Sequence, residues 1–345
     1  MRLKELLGIE LPIIQAPMAG VQTGRLAVAV SKTGALGSLP CALLSLEGLR
    51  DELKSIASQT SKPLNVNFFC HTPPAPDPDR EAQWRETLAP YYRELGVEGD
   101  RAQPGVERSP FGDEAADVLE EFRPAVVSFH FGLPSPALID RVRAAGCKIL
   151  SSATTVDEAR WLERNGADAI IAQGLEAGGH RGMFLSDDTS TQVGIFALLP
   201  QIAAAVRVPV IAAGGIVDAR GVAAALALGA DAVQVGTAYL LCPEADTSAI
   251  HRAALAGSSA RETAVTNVFT GRPARGIVNR VMRELGPMSN AAPAFPLATH
   301  ALAPLRARAE SQGSGDFSPL WSGQNVTGCK AVPAATITHE LAAGL

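Results

Sequence analysis

The sequence repeats a unit made of an amphipathic helix, a glycine and a short apolar strand, and this repeat limits the possible folds most strongly. Its two clearest copies, Gly166-Ala167-Asp168-Ala169 and Gly229-Ala230-Asp231-Ala232, begin 63 positions apart, about two strand–helix units. Glycine ends a helix easily in a left-handed turn, so each copy marks the passage from a helix to the next strand. Strands that alternate with helices in this way predict a parallel sheet.

Eight strands follow this pattern. They are Pro12–Gln15, Ala35–Ser38, Leu64–Asn67, Ala125–Phe129, Lys148–Ser151, Ala169–Ala172, Val210–Ala212 and Ala232–Val235. Most are apolar throughout, as is typical of parallel strands buried on both faces. Eight strands with helices between them favour an α/β fold of the (β/α)8 TIM barrel type over an open doubly wound sheet. The helix after the fifth strand is expected to begin with a capping box, in which Thr155 caps the helix and Glu158 reaches back to it.

The length of 345 residues exceeds the roughly 250 that one barrel needs. The surplus lies in residues 68–124, after the third strand, and in residues 238–345, after the eighth. We expect the second stretch to contain a smaller cap domain inserted after strand eight. Residues 1–241 would then form a cofactor-binding barrel, completed by a return helix within 322–345, and residues 242–321 would form the cap and contact the substrate.

The composition excludes several classes of protein. With 47% hydrophobic and 19% charged residues, the chain is too apolar to be disordered. A net charge of −5 argues against binding to nucleic acid or to an anionic membrane surface, and no apolar run is long enough for a membrane span. The five cysteines are widely spaced without a C-x-x-C motif, and the start of the chain has no secretory pattern. We therefore expect a cytoplasmic protein with reduced thiols, as a monomer or homodimer.

Glycine-rich turns follow the last three predicted strands, at the end of a barrel where ligands bind. Ala213-Gly214-Gly215-Ile216 follows the seventh strand, and Gln234-Val235-Gly236-Thr237 ends the eighth. Backbone N–H groups in such turns can approach an anion closely, and the Thr237 hydroxyl could add a donor. The pattern predicts a phosphate site, with tight turns that bind no ligand as the alternative.

Two amides, Asn67 and Gln173, stand at the ends of the third and sixth strands. An amide can donate and accept hydrogen bonds at the edge of a heterocyclic ring, so amides opposite a phosphate site would suit FMN. Either amide could equally be a structural group that is satisfied within the protein. The sequence contains neither a G-x-G-x-x-G nor a Walker A motif, which argues against a Rossmann NAD site or a P-loop.

Histidines are the candidates for catalysis. His180 lies in a glycine-rich loop after the sixth strand, where an imidazole can transfer a proton or orient a substrate. His130 ends the fourth strand and points to the same face, or is a packed structural residue. His71 and His300 could line the site from loops, whereas His251 and His339 are expected on helix surfaces. The histidines lack metal-binding spacing, so no metal site is predicted.

These motifs together resemble the nitronate monooxygenase family, formerly called 2-nitropropane dioxygenases, over nearly the whole chain. Leu11–Gly20 and the glycine turns are shared with related FMN barrels. More specific to the bacterial class I enzymes are Ser128–Pro134, Glu176–His180 and Ser318–Gln324, and Thr270–Arg275 is similar to a family element of the cap.

The resemblance implies an FMN-binding barrel with His180 beside the flavin as the active-site histidine and His130 in the same pocket. The residues assigned to the cofactor site are Ala16, Pro17, Met18, Asn67, Gln173, Gly178, Gly179, Gly214, Gly215, Gln234, Val235, Gly236 and Thr237. The implied reaction is oxidation of an alkyl nitronate by O2 to a carbonyl compound and nitrite, without NAD(P)H. Propionate 3-nitronate, a respiratory toxin, is the implied physiological substrate, which makes detoxification the implied role.

Three alternatives stay open at the sequence level. An FMN-dependent NAD(P)H:quinone reductase or enoyl-acyl-carrier-protein reductase would share the barrel and the cofactor. A flavin-free barrel resembling a purine nucleotide dehydrogenase is disfavoured, because the loop after the sixth strand has no cysteine. A non-enzymatic binding barrel would not need a histidine among glycines at the strand ends.

Overall fold

The structure is a computed structural model that describes residues 2–97 and 108–345. Within these residues the strands in chain order are β1 (Ile13–Gln15), β2 (Gly37–Pro40), β3 (Leu64–Phe69), β4 (Val126–His130), β5 (Lys148–Ala153), β6 (Ala169–Gln173), β7 (Gly179–His180), β8 (Val210–Ala213), β9 (Ala232–Val235), β10 (Thr263–Thr266) and β11 (Ala274–Ile277). The α-helices are α1 (Arg2–Leu7), α2 (Gly24–Ser31), α3 (Leu46–Gln59), α4 (Pro78–Leu95), α5 (Asp113–Phe122), α6 (Pro136–Ala144), α7 (Val156–Arg164), α8 (Ile195–Ala205), α9 (Ala219–Ala227), α10 (Ala249–Ala256), α11 (Arg280–Glu284), α12 (Ala298–Ser311) and α13 (Ala334–Leu341).

Eight parallel strands form the barrel, in the order β1-β9-β8-β6-β5-β4-β3-β2. The two end strands meet through a parallel bridge between Ile14 and Leu36, in which Gln15 N donates to Leu36 O at 2.9 Å. The predicted (β/α)8 barrel is therefore confirmed. All eight predicted strands coincide with barrel strands. Strands β1 and β4 begin one residue later than expected, β2 is shifted by two residues, and β3, β4, β5, β6 and β8 end one or two residues further towards the cavity.

The repeated glycine–alanine–aspartate unit has a physical explanation in the barrel. Gly166 and Gly229 have φ values of +100° and +103°, which favour glycine. The aspartates that follow tie neighbouring strands together, since Asp168 accepts from Ile149 N at 2.7 Å and Asp231 from Val210 N at 3.0 Å. The repeat thus ends each helix and sets the start of the next strand against its neighbour.

Apolar side chains fill the barrel interior, and α1 covers its N-terminal end. Leu3 and Leu7 of α1 are buried in the same cluster as Ile14, Leu150 and other inward-facing strand residues. The Arg2 guanidinium donates to the carbonyl of residue 207, just before β8. The opposite end of the barrel is the one left for a ligand.

The two surplus stretches contribute partly to the barrel and partly to a roof over its C-terminal end, which consists of α4, α12 and the strands β7, β10 and β11. Helix α5 packs against α3 and α6 as a barrel helix, whereas α4 packs on α12 from the tail. Trp84 of α4 donates its indole N–H to the Ala298 carbonyl of α12 at 3.2 Å. Strands β10, β11 and β7 form a small antiparallel sheet, which joins the loop after β6 to the tail. The roof therefore draws on both stretches.

The last helix returns to the barrel. Helix α13 packs against α2 and α9, and the Tyr239 hydroxyl lies 2.9 Å from Thr338 Oγ1 of α13. Domain boundaries at 241/242 and 321/322 stay a prediction. In residues 2–97 and 108–345, none of the helices combines the length and the apolar character needed to cross a lipid bilayer.

Candidate active site

A cavity opens at the C-terminal ends of the barrel strands. It encloses about 1440 Å³ of empty space, counting the solvent at its mouth, which is room for a nucleotide-sized ligand and a small substrate. The structure brings together in its lining all the residues assigned above to the cofactor or to catalysis, while their individual roles stay predictions. They are Ala16, Pro17, Met18, Asn67, His130, Gln173, Gly178, Gly179, His180, Gly214, Gly215, Gln234, Val235, Gly236 and Thr237.

One wall of the cavity consists of turns after β6, β8 and β9. We call it the glycine cradle, and its members are Gly178, Gly214, Gly215, Gly236 and Thr237. Gly214 and Gly215 have φ values of +121° and +72°, which side chains rarely permit. A Cβ on Gly178 would lie 2.5 Å from the backbone nitrogen of Gly323. Backbone N–H groups can therefore come close to a bound anion here.

A segment from the tail closes this cradle. Gly323 N donates to Thr237 Oγ1 at 3.0 Å, and Asn325 Nδ2 donates to Gly215 O at 3.2 Å. Because a hydroxyl can accept one hydrogen bond and donate another, Thr237 keeps its proton for a further acceptor such as a phosphate oxygen. The segment belongs to the Ser318–Gln324 motif and its neighbour Asn325, so distant parts of the chain build one wall.

Three further amides of the cavity are used in different ways. Gln173 holds the loop after β6, since its Nε2 donates to His180 O at 2.9 Å and its Oε1 accepts from Gly182 N at 2.7 Å. Asn67 Nδ2 donates to Ser128 Oγ at 2.9 Å. Gln234 Oε1 is buried without a hydrogen-bond partner among the described residues. A buried acceptor left unpaired costs about 1–3 kcal/mol, so Gln234 is the amide most in need of a ligand donor.

His130 supports the backbone beside it. Its Nε2 lies 3.1 Å from the His180 carbonyl, which can only accept, so Nε2 carries the proton and Nδ1 accepts from Ser152 Oγ at 3.0 Å. Burial is the main cause that lowers the pKa of His130 to about 4. Both ring nitrogens of His130 are engaged by the protein, and the ring contacts the backbone of His180.

His180 lies within a cage of aromatic rings at the top of the cavity. Its ring centroid is 5.3 Å from Phe295, 5.5 Å from Trp321 and 6.2 Å from Phe69. Its Nε2 is 2.9 Å from Thr270 Oγ1. Burial, followed by the positive charge of nearby Arg108, lowers the pKa of His180 well below its ordinary value. The imidazole is therefore neutral and its other nitrogen, Nδ1, is left for chemistry.

Buried charged groups hold the loop that carries His180. The Arg181 guanidinium donates to the carbonyls of Gln173 and Gly174, both at 2.8 Å, and to Gln192 Oε1 at 3.0 Å. These contacts satisfy carbonyls at the end of β6 and fix where the loop leaves the barrel. Burial lowers the pKa of Arg181 to about 10, so it stays charged near neutral pH.

The predicted capping box at α7 is half right. Thr155 Oγ1 accepts from Glu158 N at 3.2 Å, as expected. The Glu158 carboxylate does not reach back to Thr155 and instead accepts from Thr154 N and Phe184 N, both at 2.7 Å. The Glu158 side chain is almost fully buried beside the loop after β6. It accepts from Phe184 N because a buried backbone N–H in that loop needs an acceptor.

The charge of the cavity is opposite in sign to that of the chain. Among its described lining residues there is one guanidinium, that of Arg108, and no carboxylate. Arg108 and Arg272 both act on His180 by charge repulsion. Arg272 also stacks on Phe131, with its guanidinium carbon 4.0 Å from the ring centroid. An otherwise acidic protein thus presents a positive cavity, which attracts anions.

Sequence reasoning missed several residues of the site. Ser152 contacts His130, whereas Thr270 and Trp321 contact His180. Thr270 and Trp321 belong to two motifs named above, Thr270–Arg275 and Ser318–Gln324, but the motifs alone did not predict a role for either residue. His251 was expected on a helix surface, and this was wrong: it is buried and its Nε2 lies 3.1 Å from the Trp321 carbonyl. The sequence of α10 alone did not indicate that the tail around Trp321 covers His251.

The remaining histidines lie apart from the cavity wall. Among the described lining residues neither His71 nor His300 occurs. His71 is buried behind the wall, with its ring centroid 4.9 Å from that of Phe295. His339 is exposed on α13, as expected.

Comparisons with known proteins agree with this geometry. The family model described as nitronate monooxygenase matches residues 1–344. A nitronate monooxygenase from Pseudomonas aeruginosa is 43% identical over 342 residues, which cover 99% of this chain and 97% of the relative. The structure of nitroalkane oxidase from Streptomyces ansochromogenes superposes with a TM-score of 0.90 at 39% identity, covering 99% and 97% of the two chains.

A second solved structure is more distant. FabK from Thermotoga maritima superposes with a TM-score of 0.73 at 29% identity, covering 99% of this chain and 94% of that one. The resemblance inferred from the motifs is confirmed by the full-length match of the family model. The chain belongs to the nitronate monooxygenase family and is an oxidoreductase.

Proposed function

We propose that this protein is an FMN-dependent nitronate monooxygenase, which oxidises alkyl nitronates with O2 to a carbonyl compound and nitrite and requires no NAD(P)H. Propionate 3-nitronate is the proposed physiological substrate class, and detoxification in the cytoplasm is the proposed role. Family membership supports the reaction type. The observation that carries the proposal is a cavity without carboxylates among its described lining residues, in which a neutral His180 lies beside a glycine cradle.

The charge of the cavity favours an anionic substrate. A nitronate carries a negative charge that must leave water on binding, and the positive charge of Arg108 and Arg272 offsets that cost. A quinone is neutral, so the positive charge of Arg108 and Arg272 would not strengthen its binding. The same potential suits a phosphate in the glycine cradle.

The residues present fit FMN. The cradle leaves backbone N–H groups free of side chains, and Thr237 keeps a hydroxyl proton for a phosphate oxygen. Gln234 Oε1, which has no partner in the part of the chain that the structure describes, suits an N–H donor at the edge of a heterocyclic ring. Bound FMN would supply the electron acceptor for the nitronate.

The protein's own residues orient the substrate and control its proton. His180 can accept the α-proton of a neutral nitroalkane at a ring nitrogen that carries no proton, which needs a neutral ring. The imidazolium formed in this way can then donate to a nitronate oxygen. His130 and Gln173 hold the His180 carbonyl, and so the position of the ring. The aromatic rings around the imidazole provide apolar surroundings, which strengthen its electrostatic interactions.

The test is an oxygen electrode assay of the purified protein with a nitronate, with and without NADH, combined with nitrite determination. We expect oxygen uptake and nitrite without NADH, and an absorbance spectrum of bound flavin. A protein that consumes NADH with a quinone, and neither takes up oxygen nor releases nitrite with a nitronate, contradicts the proposal.

That outcome would favour a second candidate, an FMN-dependent NAD(P)H:quinone or enoyl-acyl-carrier-protein reductase. The similarity to FabK supports this second candidate, because the two proteins are 29% identical over nearly the whole chain. Adding NADH to the flavin-loaded protein without oxygen separates the two: rapid bleaching of the flavin absorbance indicates the reductase.

A further inference from the structure

We infer that Thr270 is a positioning residue that fixes the tautomer of His180: its hydroxyl accepts from Nε2–H, which leaves Nδ1 unprotonated on the cavity side. The inference rests on the proposed function and concerns the step that precedes it when the substrate is a neutral nitroalkane, the removal of the α-proton. Preformed nitronates, which have already lost that proton, do not need this step.

The contacts of the Thr270 hydroxyl determine its direction. Thr270 Oγ1 lies 2.9 Å from His180 Nε2 and 3.4 Å from the carbonyl oxygen of Arg272. The carbonyl can only accept, and the hydroxyl has a single proton. If the proton points to the carbonyl, the hydroxyl accepts from Nε2–H and both contacts are satisfied. If it points to Nε2, the contact with the carbonyl has no donor.

The opposite edge of the His180 ring is open to a ligand. Hydrogen bonds from the described residues reach Nε2 and the His180 carbonyl, and none reaches Nδ1. Nδ1 is also absent from the buried polar atoms that lack a partner in this part of the chain. Since His180 lines the cavity, Nδ1 is its accessible ring nitrogen.

The turn that carries Thr270 is held against His180 from both sides. Arg181 N donates to the Pro273 carbonyl at 2.8 Å, and Ala274 of β11 pairs with His180 of β7. Gly271 has a φ of +87°, and a Cβ there would overlap the Pro293 carbonyl. Thr270 itself is buried. The backbone at Thr270 is therefore fixed relative to the ring, and burial restricts rotation of the threonine side chain.

The groups around His180 keep the ring neutral, so that the tautomer decides its chemistry. The charged or titratable neighbours are His130 at the end of β4, His71 after β3, Arg108 before α5 and Arg272 before β11. All four disfavour a second proton on the ring. A neutral imidazole accepts a proton only at the nitrogen that lacks one.

The experiment compares nitroethane with preformed ethylnitronate for the FMN-loaded wild type, Thr270→Val and Thr270→Ser. We expect kcat/KM for nitroethane to fall about 10-fold or more in Thr270→Val, with a larger isotope effect from α-deuterated nitroethane, because a base contributes about 10²–10⁴ to such a step. Activity with ethylnitronate should change less than about 3-fold, and Thr270→Ser should restore nitroethane activity.

Thr266→Val is the matched control, because Thr266 is a buried threonine of β10 whose hydroxyl accepts from Val268 N. A direct readout is ¹⁵N NMR of histidine-labelled protein, with His180→Asn to assign the signal; we expect the proton on Nε2. Unchanged nitroethane kinetics in Thr270→Val, or a proton on Nδ1 in the wild type, overturns the inference.

The two proposals fail in different ways. If the wild type oxidises neither substrate, the proposed function is wrong, and the NMR tautomer still tests Thr270 by itself. If ethylnitronate is oxidised and Thr270→Val behaves like the wild type with nitroethane, only the inference is wrong.

Discussion

The glycine cradle and the histidine pair share one cavity but are built in opposite ways. The cradle consists mainly of backbone in turns that directly follow β6, β8 and β9. The histidine pair depends on side chains from separate segments: Ser152 of β5 supports His130, and Thr270, 90 positions away, supports His180. A backbone site follows from where a strand ends, whereas a side-chain site depends on partners that the fold brings in. The two sites should respond differently to substitution.

The largest effect is expected at His180. His180→Asn should lower kcat for a neutral nitroalkane by about 100-fold or more, because general base catalysis contributes about 10²–10⁴. The flavin content should stay unchanged, since the cradle is separate. His339→Asn on the exposed face of α13 is the control. Unaltered turnover would remove His180 from the role of base, and loss of flavin would show that the two sites are not independent.

A substitution beneath the histidine pair should mainly affect stability. Arg181→Met removes the guanidinium that donates to Gln173 O and Gln192 Oε1, and it leaves Gly174 O with only the bond from Ala177 N. We therefore expect the free energy of unfolding to fall by about 3 kcal/mol. Urea denaturation measures it. Arg220→Met, whose side chain is 94% exposed, should stay within about 0.5 kcal/mol of the wild type. Equal stability of the two variants would contradict the bonding described for Arg181.

The cradle should be sensitive to a single methyl group. In Gly178→Ala the new Cβ would meet the Gly323 backbone nitrogen at 2.5 Å, and backbone gives way only at a cost of about 1–3 kcal/mol. We expect FMN to bind about 10-fold more weakly or worse, measured by fluorescence titration of cofactor-free protein. Gly112→Ala, where the nearest neighbour would be 4.0 Å away, should bind FMN normally. Tight binding by Gly178→Ala would show that the cradle can widen.

The smallest effect is expected from a change of one pH unit. The pKa of His130 is lowered to about 4 by burial, while the unfolded chain has an ordinary value near 6.5. Between these values the unfolded state binds more protons, so stability falls as the pH falls through this window. The loss is at most about 1.4 kcal/mol per pH unit for each such histidine. His130→Asn should flatten the acid side of the stability curve, and Gly178→Ala, which removes no titratable group, should leave its slope unchanged.

Most of the barrel was predictable because its signals are local. The Gly-Ala-Asp repeats located the ends of α7 and α9, and the eight strands lie where the apolar runs predicted them. The lining of the cavity followed, since all strand ends of a parallel barrel meet at one face. His251 could not be placed in this way, because the tail that buries it lies 70 positions away.

The sequence alone therefore determined the barrel, the end of the barrel at which the cavity opens and the turns that form the cradle. Each of these depends on the order of residues within one strand–helix unit. The tertiary structure decided which atoms are free to act. It engages both nitrogens of His130 and one nitrogen of His180, and it commits Gln173 to its own loop. It leaves Gln234 Oε1 without a partner in residues 2–97 and 108–345. The physical reason is that a buried polar atom must find a partner, and that partner comes from whichever distant segment the fold packs beside it.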